Sequence, residues 1–120
     1  MKPVRLTRQE ETIWLAALLE GEGCFSVIKA SKTYRRPRLK VCLNMNDRDV
    51  VERAALFHPP AKVGHRPPRG HSKESWQVQW TSVRAESLMR RVLPYMGERR
   101  TLKIEECLAC PDLSHFKESS

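Results

Sequence analysis

Residues Arg38 to Asn46 alternate without a break: Leu39, Val41, Leu43 and Met45 on one side, Arg38, Lys40, Cys42 and Asn44 on the other. Period-two alternation describes a half-buried strand, because successive side chains of an extended chain point to opposite faces. A strand with one apolar and one basic face needs a hydrophobic layer on one side only. That condition suits an antiparallel sheet and argues against a parallel one covered on both sides. Ser75 to Ser82 repeats the pattern, with Trp76, Val78 and Trp80 on one face and Gln77, Gln79 and Thr81 on the other. Two weaker strands are expected from Cys24 to Ser31, with Phe25 and Val27 on one face, and from Lys62 to Arg66. The register of the first stays open, since strict alternation puts Ser26, Ile28, Ala30 and Lys32 outward and turns Lys29 inward.

Helical signals separate the strands. Thr7 is placed to cap a helix with Glu10 and Glu11 in its first turn, where carboxylates suit the helix dipole, and that helix is expected to end near Leu19 or Glu20. Asn46-Asp47 caps a short helix carrying Val50, Val51, Ala54, Ala55 and Leu56, which Pro59-Pro60 ends. A last helical stretch begins near Val83, breaks at Pro94 and Gly97, and resumes from Arg99 to about Leu108. The order α-β-β-α-β-β-α predicts an α+β domain over residues 10–110: one four-stranded antiparallel sheet, helices on one face, the other face open. Residues 1–9 read as a basic lead-in and 111–120 as a polar tail. At 120 residues the chain is long enough for one core without disulfide or metal staples.

A net charge of +8 and a pI of about 9.7 point to a polyanionic partner, most simply nucleic acid. The positive charge is localised: no acid occurs between Lys29 and Asn46, or between Pro59 and Lys73, and these are the two hairpin regions. No apolar run approaches the ~20 residues needed to span a bilayer, and no signal-peptide core is present. The expectation is an intracellular protein with no membrane partner, in the cytoplasm of a prokaryote or phage-infected cell or in an organelle. Of the four cysteines, Cys24, Cys42, Cys107 and Cys110, only the last two form a C-x-x-C pair. A zinc site from that pair with His115 is weighed against reduced, structural thiols, and the thiols are preferred.

The segment Trp14 to Phe25 carries the chemistry. Leu15, Leu18 and Leu19 recur at helical spacing, Ala16 and Ala17 keep the surface beside them flat, and Gly21 and Gly23 bracket Glu22. A carboxylate held at the lower end of a helix, on backbone with almost no bulk, is well placed to bind a divalent cation. Leu15-Ala16-Ala17-Leu18-Leu19-Glu20-Gly21-Glu22-Gly23 resembles the nine-residue motif of the LAGLIDADG homing endonucleases, with Ala for the first Gly and Glu for Asp at both acidic positions. Only one motif is present and there is no internal repeat, which resembles the single-motif members that act as homodimers.

The resemblance implies a sequence-specific double-stranded DNA endonuclease that uses Mg2+ or Mn2+. It assigns Glu22 as the metal carboxylate, with the Gly21 carbonyl as a second ligand, and gives Glu20 a capping role. Leu15, Ala16, Ala17, Leu19, Glu20 and Gly21 would form the interface that brings two copies of Glu22 to one centre. Asp47 falls near the polar position that orients water in the family, and Arg99 near the basic position that stabilises phosphate charge. Asp replaces the commoner amide and Arg the commoner Lys, and Arg100 or Lys103 are alternatives for the second role. A plain helix N-cap is the competing reading of Asp47.

The open sheet face should read DNA. Arg38, Lys40 and Asn44 are expected to do so from the second strand, and Ser75, Gln77 and Gln79 from the fourth. Arg suits guanine and Asn or Gln adenine in the major groove, each bidentate pair giving about 1–3 kcal/mol of discrimination. Lys32, Arg35, Arg36, Arg66 and Arg69 are expected at hairpin tips and phosphates, with His65 and His71 as weaker candidates. The competing functions are a DNA-binding regulator without cleavage and an RNA-splicing maturase. Glu22 favours a nuclease, because a carboxylate facing phosphates is repelled unless a cation intervenes.

Overall fold

The computed structural model of the chain describes residues 5–57, 59–111 and 113. Helix α1 (Arg8–Glu22) starts at a reciprocal cap: the Glu10 amide donates to Thr7 Oγ1 at 3.1 Å, and the Thr7 amide to Glu10 Oε1 at 2.8 Å. Strands β1 (Gly23–Ile28) and β2 (Arg38–Met45) follow, then α2 (Arg48–Leu56), β3 (Val63–Arg66) and β4 (Ser75–Thr81). Helix α3 (Ser82–Val92) leaves β4 with no loop, the corner being Ser82 in the left-handed region at φ 55°. A 3-10 turn at Leu93–Tyr95, containing Pro94, separates α3 from α4 (Glu98–Leu108). The element order and sheet agree with the α+β architecture read from the sequence.

Helix α1 runs further than expected. The Gly23 amide donates to Leu19 O, so the hydrogen-bond ladder continues past Gly21 and ends at the last residue before the strand. Gly21 therefore stays helical. Gly23 has ordinary extended dihedrals (φ −83°, ψ 166°), and what demands glycine there is space. A Cβ at that position would stand 2.7 Å from Leu19 Cδ2 and 2.8 Å from Leu19 O. Helix and strand thus join directly, by a backbone contact that only glycine allows.

The sheet has the order β1-β2-β4-β3, with every pair antiparallel. Its covered face carries Phe25, Leu39, Val41, Leu43, Val78 and Trp80, all 0–2% exposed. Against them pack Leu15, Ala16 and Leu19 of α1, Val51, Ala54 and Ala55 of α2, and Ala85, Leu88, Met89 and Val92 of α3. Ile104 and Cys107 of α4 complete the layer, α4 lying against β1. Trp80, the largest fully buried side chain, satisfies its indole by donating to Pro59 O at 2.7 Å. Leu113 is also buried, so the core continues beyond α4. No helix among the described residues is long and apolar enough to cross a membrane.

Candidate nucleic-acid interface

The register determines which side chains share the uncovered face. Ser26 pairs with Lys40 and Ile28 with Arg38; Asn44 pairs with Gln77, Cys42 with Gln79 and Lys40 with Thr81; Gln77 pairs with Gly64 and Ser75 with Arg66. Arg38, Lys40, Asn44, Ser75, Gln77, Gln79 and Arg66 therefore lie together on one face, opposite the core residues. Three cations, no acid and several amides and hydroxyls make this surface a match for phosphates and base edges. The first-strand ambiguity is resolved as well. β1 stops at Ile28, so Lys29 lies past the strand and is exposed, while Phe25 and Val27 turn towards the core.

Lys32, Arg35 and Arg36 are exposed in the β1–β2 connection. Arg69 stands in the β3–β4 connection, a tight turn in which the Arg69 and Ser72 backbones exchange hydrogen bonds at 3.0 and 2.8 Å around Gly70 at φ 58°. Asn44, Arg66, Arg69, Lys73 and Ser75 line one cleft at this end of the sheet. A second cleft is lined by Gln77 and Gln79 together with Lys62 and Arg84. Lys62 and Arg84 were not expected there. Lys62 precedes β3, and Arg84 comes from α3, a helix that strand alternation cannot connect to the sheet. His65 belongs elsewhere: it is level with Trp76, whose ring centroid lies 5.2 Å away, and its Nε2 is 2.6 Å from Glu74 Oε2. Its odd register position sends it to the opposite face from Arg66.

Glu22 is exposed at the end of α1. Since Gly23 pairs with Leu43, the end of α1 and the stretch Asn44–Asp47 share one end of the sheet. Asp47 occupies the N-cap position of α2, is exposed, and makes no side-chain cap bond. On the other side of β1, Arg99, Arg100 and Lys103 of α4 line a cleft with Cys24 and Phe25. Glu20 fastens α4 to this place. Its Oε1 accepts the Gly97 amide at 2.7 Å at the start of α4, and Arg100 Nε donates to Glu20 O at 3.2 Å. Arg99 is exposed and has no ion-pair partner among the described residues. Glu22, Asp47 and Arg99 thus come from three different elements: the end of α1, the N-cap of α2 and the first turn of α4.

The interface expected on α1 divides in two. Leu15, Ala16 and Leu19 are 0–1% exposed and belong to the protomer's own core, so they cannot also meet a second copy. Ala17 and Gly21 are exposed and Glu20 half-buried. With Ile13, 44% exposed, Ala17 and Gly21 form a stripe at i, i+4, i+8 on the opposite side of the helix. A Cβ on Gly21 would meet nothing within 4 Å.

Among the described residues, no group of three His, Cys, Asp or Glu side chains could hold a metal ion. His115 lies outside the described residues; Cys107 is buried and Cys110 half-buried. Burial pushes the Cys107 and Cys42 thiols above their ordinary range.

A four-stranded antiparallel sheet of order β1-β2-β4-β3, with helices on one face and the other left open, defines the class of two-layer α+β folds to which this chain belongs. More particularly, the chain has the fold of the LAGLIDADG homing endonucleases. It superposes on I-CvuI in complex with its target in the presence of calcium, with a TM-score of 0.62, 14% identity, and 93% of this chain and 76% of that one covered. On the group I intron-encoded homing endonuclease I-CeuI complexed with DNA the TM-score is 0.61 at 16% identity, covering 90% of this chain and 56% of that one. For the homing endonuclease I-TnaI the TM-score is 0.55 at 16% identity, covering 88% and 71%. The chain therefore spans little more than half the length of I-CeuI. No protein-family model matches the sequence, and no curated protein matches it.

Proposed function

We propose that two copies of this chain bind double-stranded DNA in their combined open faces and hydrolyse phosphodiester bonds at a long, roughly palindromic site. The observation that carries the reading is the exposed Glu22 ending α1, directly beside a basic sheet face free of acids. Such a carboxylate gains nothing next to phosphates without a cation between them. The donor set fits a hard divalent ion, Mg2+ or Mn2+. One protomer offers the Glu22 carboxylate and, from the Gly21 carbonyl, one of the last four helix carbonyls that lack an intrahelical donor. Hard cations of this kind accept few protein ligands and fill the rest of the shell with water and phosphate oxygen. When bound, such an ion lowers the pKa of its water and neutralises charge on attacking and leaving oxygens.

The protein's own groups carry out the remaining tasks. Arg99, unpaired in the cleft beside β1, neutralises charge on the phosphate at the scissile position. Asp47, with no capping bond to satisfy, orients water on the other side of that end. Glu20 acts through α4, holding the helix start that presents Arg99. The Ile13, Ala17 and Gly21 stripe gives two copies a flat surface on which α1 can pack against its twin, so that both Glu22 side chains meet near the two-fold axis. Lys40, Asn44, Gln77 and Gln79 read base edges, and Lys32, Arg35, Arg36, Arg66 and Arg69 anchor phosphates. Mobility of an intron or intein is the biological setting proposed for such an enzyme, with a free-standing gene as the alternative.

The test is Glu22→Gln. In magnesium it should abolish nicking of a site selected from a randomised duplex library, while binding in calcium persists. Equal cleavage by wild type and variant removes Glu22 from the metal site. Tight, sequence-selective binding by a wild type that never nicks DNA identifies a regulator, and cleavage-free promotion of intron splicing a maturase.

A further inference from the structure

Arg38 differs from the other cations of the open face in how it is held. Its guanidinium carbon stands 3.8 Å from the centroid of the Tyr34 ring, a stacking distance. Its Nε is shielded from solvent and has no hydrogen-bond acceptor among the described residues. Tyr34 is in turn pinned by Ser31: the Tyr34 amide donates to Ser31 Oγ at 3.1 Å, and the Ser31 amide to Tyr34 O at 2.6 Å. The ring is nevertheless half exposed, on a connection that also carries Lys32, Thr33, Arg35 and Arg36. Across the register from Arg38 is Ile28, whose side chain offers no hydrogen bond.

We infer that Tyr34 is a positioning residue that holds Arg38 for reading one guanine in the outer part of each half-site; this rests on the DNA-reading function proposed above. An arginine that only neutralises phosphate works well when mobile, as Arg35 and Arg36 are free to do. Arg38 is constrained instead. With one face on the ring and Nε closed off, its remaining donors are the two terminal nitrogens, presented as a planar pair. Guanine alone among the bases shows two acceptors side by side in the major groove, O6 and N7. Fixing the fork beforehand removes rotamer freedom that base binding would otherwise have to quench. A stacked guanidinium also gains from the ring quadrupole most when desolvated, as under bound DNA.

The experiment is a binding selection in calcium over a randomised duplex library, with wild type, Arg38→Ala, Tyr34→Ala, Tyr34→Leu and Tyr34→Phe. Arg38→Ala should lose guanine preference at one position of each half-site. Tyr34→Ala and Tyr34→Leu should weaken preference at that same position by about fivefold, while leaving other positions and the salt dependence unchanged. Tyr34→Phe, which keeps the ring, should read like wild type. The inference is overturned if the Ala and Leu variants retain full guanine preference where Arg38→Ala loses it, or if they weaken all sequences equally. A wild type that binds duplex with no base preference overturns the DNA-reading function itself. Leucine separates ring electrostatics from bulk, so a folding defect in the alanine variant does not decide the outcome.

Discussion

Gly21 and Gly23 sit two residues apart, yet a methyl group should act oppositely at each. At Gly23 the added Cβ would stand 2.7 Å from Leu19 Cδ2, 2.8 Å from Leu19 O and 2.9 Å from Leu19 Cα. Two of these atoms are backbone and cannot rotate away, so the end of α1 must part from the start of β1. Overpacking of this kind costs about 1–3 kcal/mol, and weakening the Gly23 amide bond to Leu19 O adds to it. Gly23→Ala should therefore destabilise by about 2–3 kcal/mol, lowering Tm by roughly 4 °C for each kcal/mol in a chain of this size. At Gly21 the new methyl meets nothing within 4 Å, and the residue is helical. Gly21→Ala should gain about 0.5–1 kcal/mol through reduced freedom of the unfolded chain. The same methyl projects from the stripe on which two copies would pack. Thermal and urea denaturation at low protein concentration without DNA measures the first effect, and sedimentation with cognate DNA the second. A Gly23→Ala protein as stable as wild type refutes the contact argument. A Gly21→Ala protein that dimerises with undiminished affinity refutes the placement of the interface.

Glu20→Ala removes the acceptor of the Gly97 amide at the start of α4. With Glu20 38% exposed, the loss should be modest, about 1 kcal/mol, accompanied by faster amide exchange at residues 97–100. Unchanged exchange there would show that α4 is held by its apolar contacts alone. The cysteines should separate by reactivity: Cys24, exposed, alkylates first, while Cys42 and Cys107, their thiols raised above the ordinary thiol range chiefly by burial, react slowly near neutral pH. Because the folded state keeps those two protons longer than the unfolded state, their stabilising contribution is intact below the ordinary thiol range and declines as pH rises through and beyond it. Mass mapping of iodoacetamide adducts with time checks the order, and a stability advantage of wild type over the Cys42→Ser and Cys107→Ser variants that grows with rising pH would contradict the sign.

The sheet was largely legible because each strand has one buried face. Leu39, Val41 and Leu43 can meet a hydrophobic layer in one register only, and that register assigns Arg38, Lys40 and Asn44 to the opposite side. Helix α1 was less legible for a related reason. From Ile13 to Leu19 it is apolar all round, so periodicity cannot tell the side facing the sheet from the side facing outward. Leu15, Ala16 and Leu19 turned inward; Ala17 and Gly21 did not. Glycine propensity suggested a helix end near Leu19, but the ladder closes through Gly23, where shape and not flexibility decides. Contacts set by packing or by loop conformation left no local trace. Glu20 with Gly97, Arg84 beside Gln79, and Tyr34 beneath Arg38 depend on packing or on loop conformation that no spacing rule encodes.

The direct passage from α1 into β1 has a geometric consequence. One glycine separates Glu22 from Cys24, so the carboxylate and the open sheet face are joined by a single direct junction. Six residues of strand at about 3.3 Å each make a ruler of roughly 20 Å, about six nucleotides of duplex. In a nuclease built this way, exchanging side chains on the sheet retunes which sequence is chosen and leaves the offset of the cut unchanged. Moving the cut would require lengthening or shortening that junction.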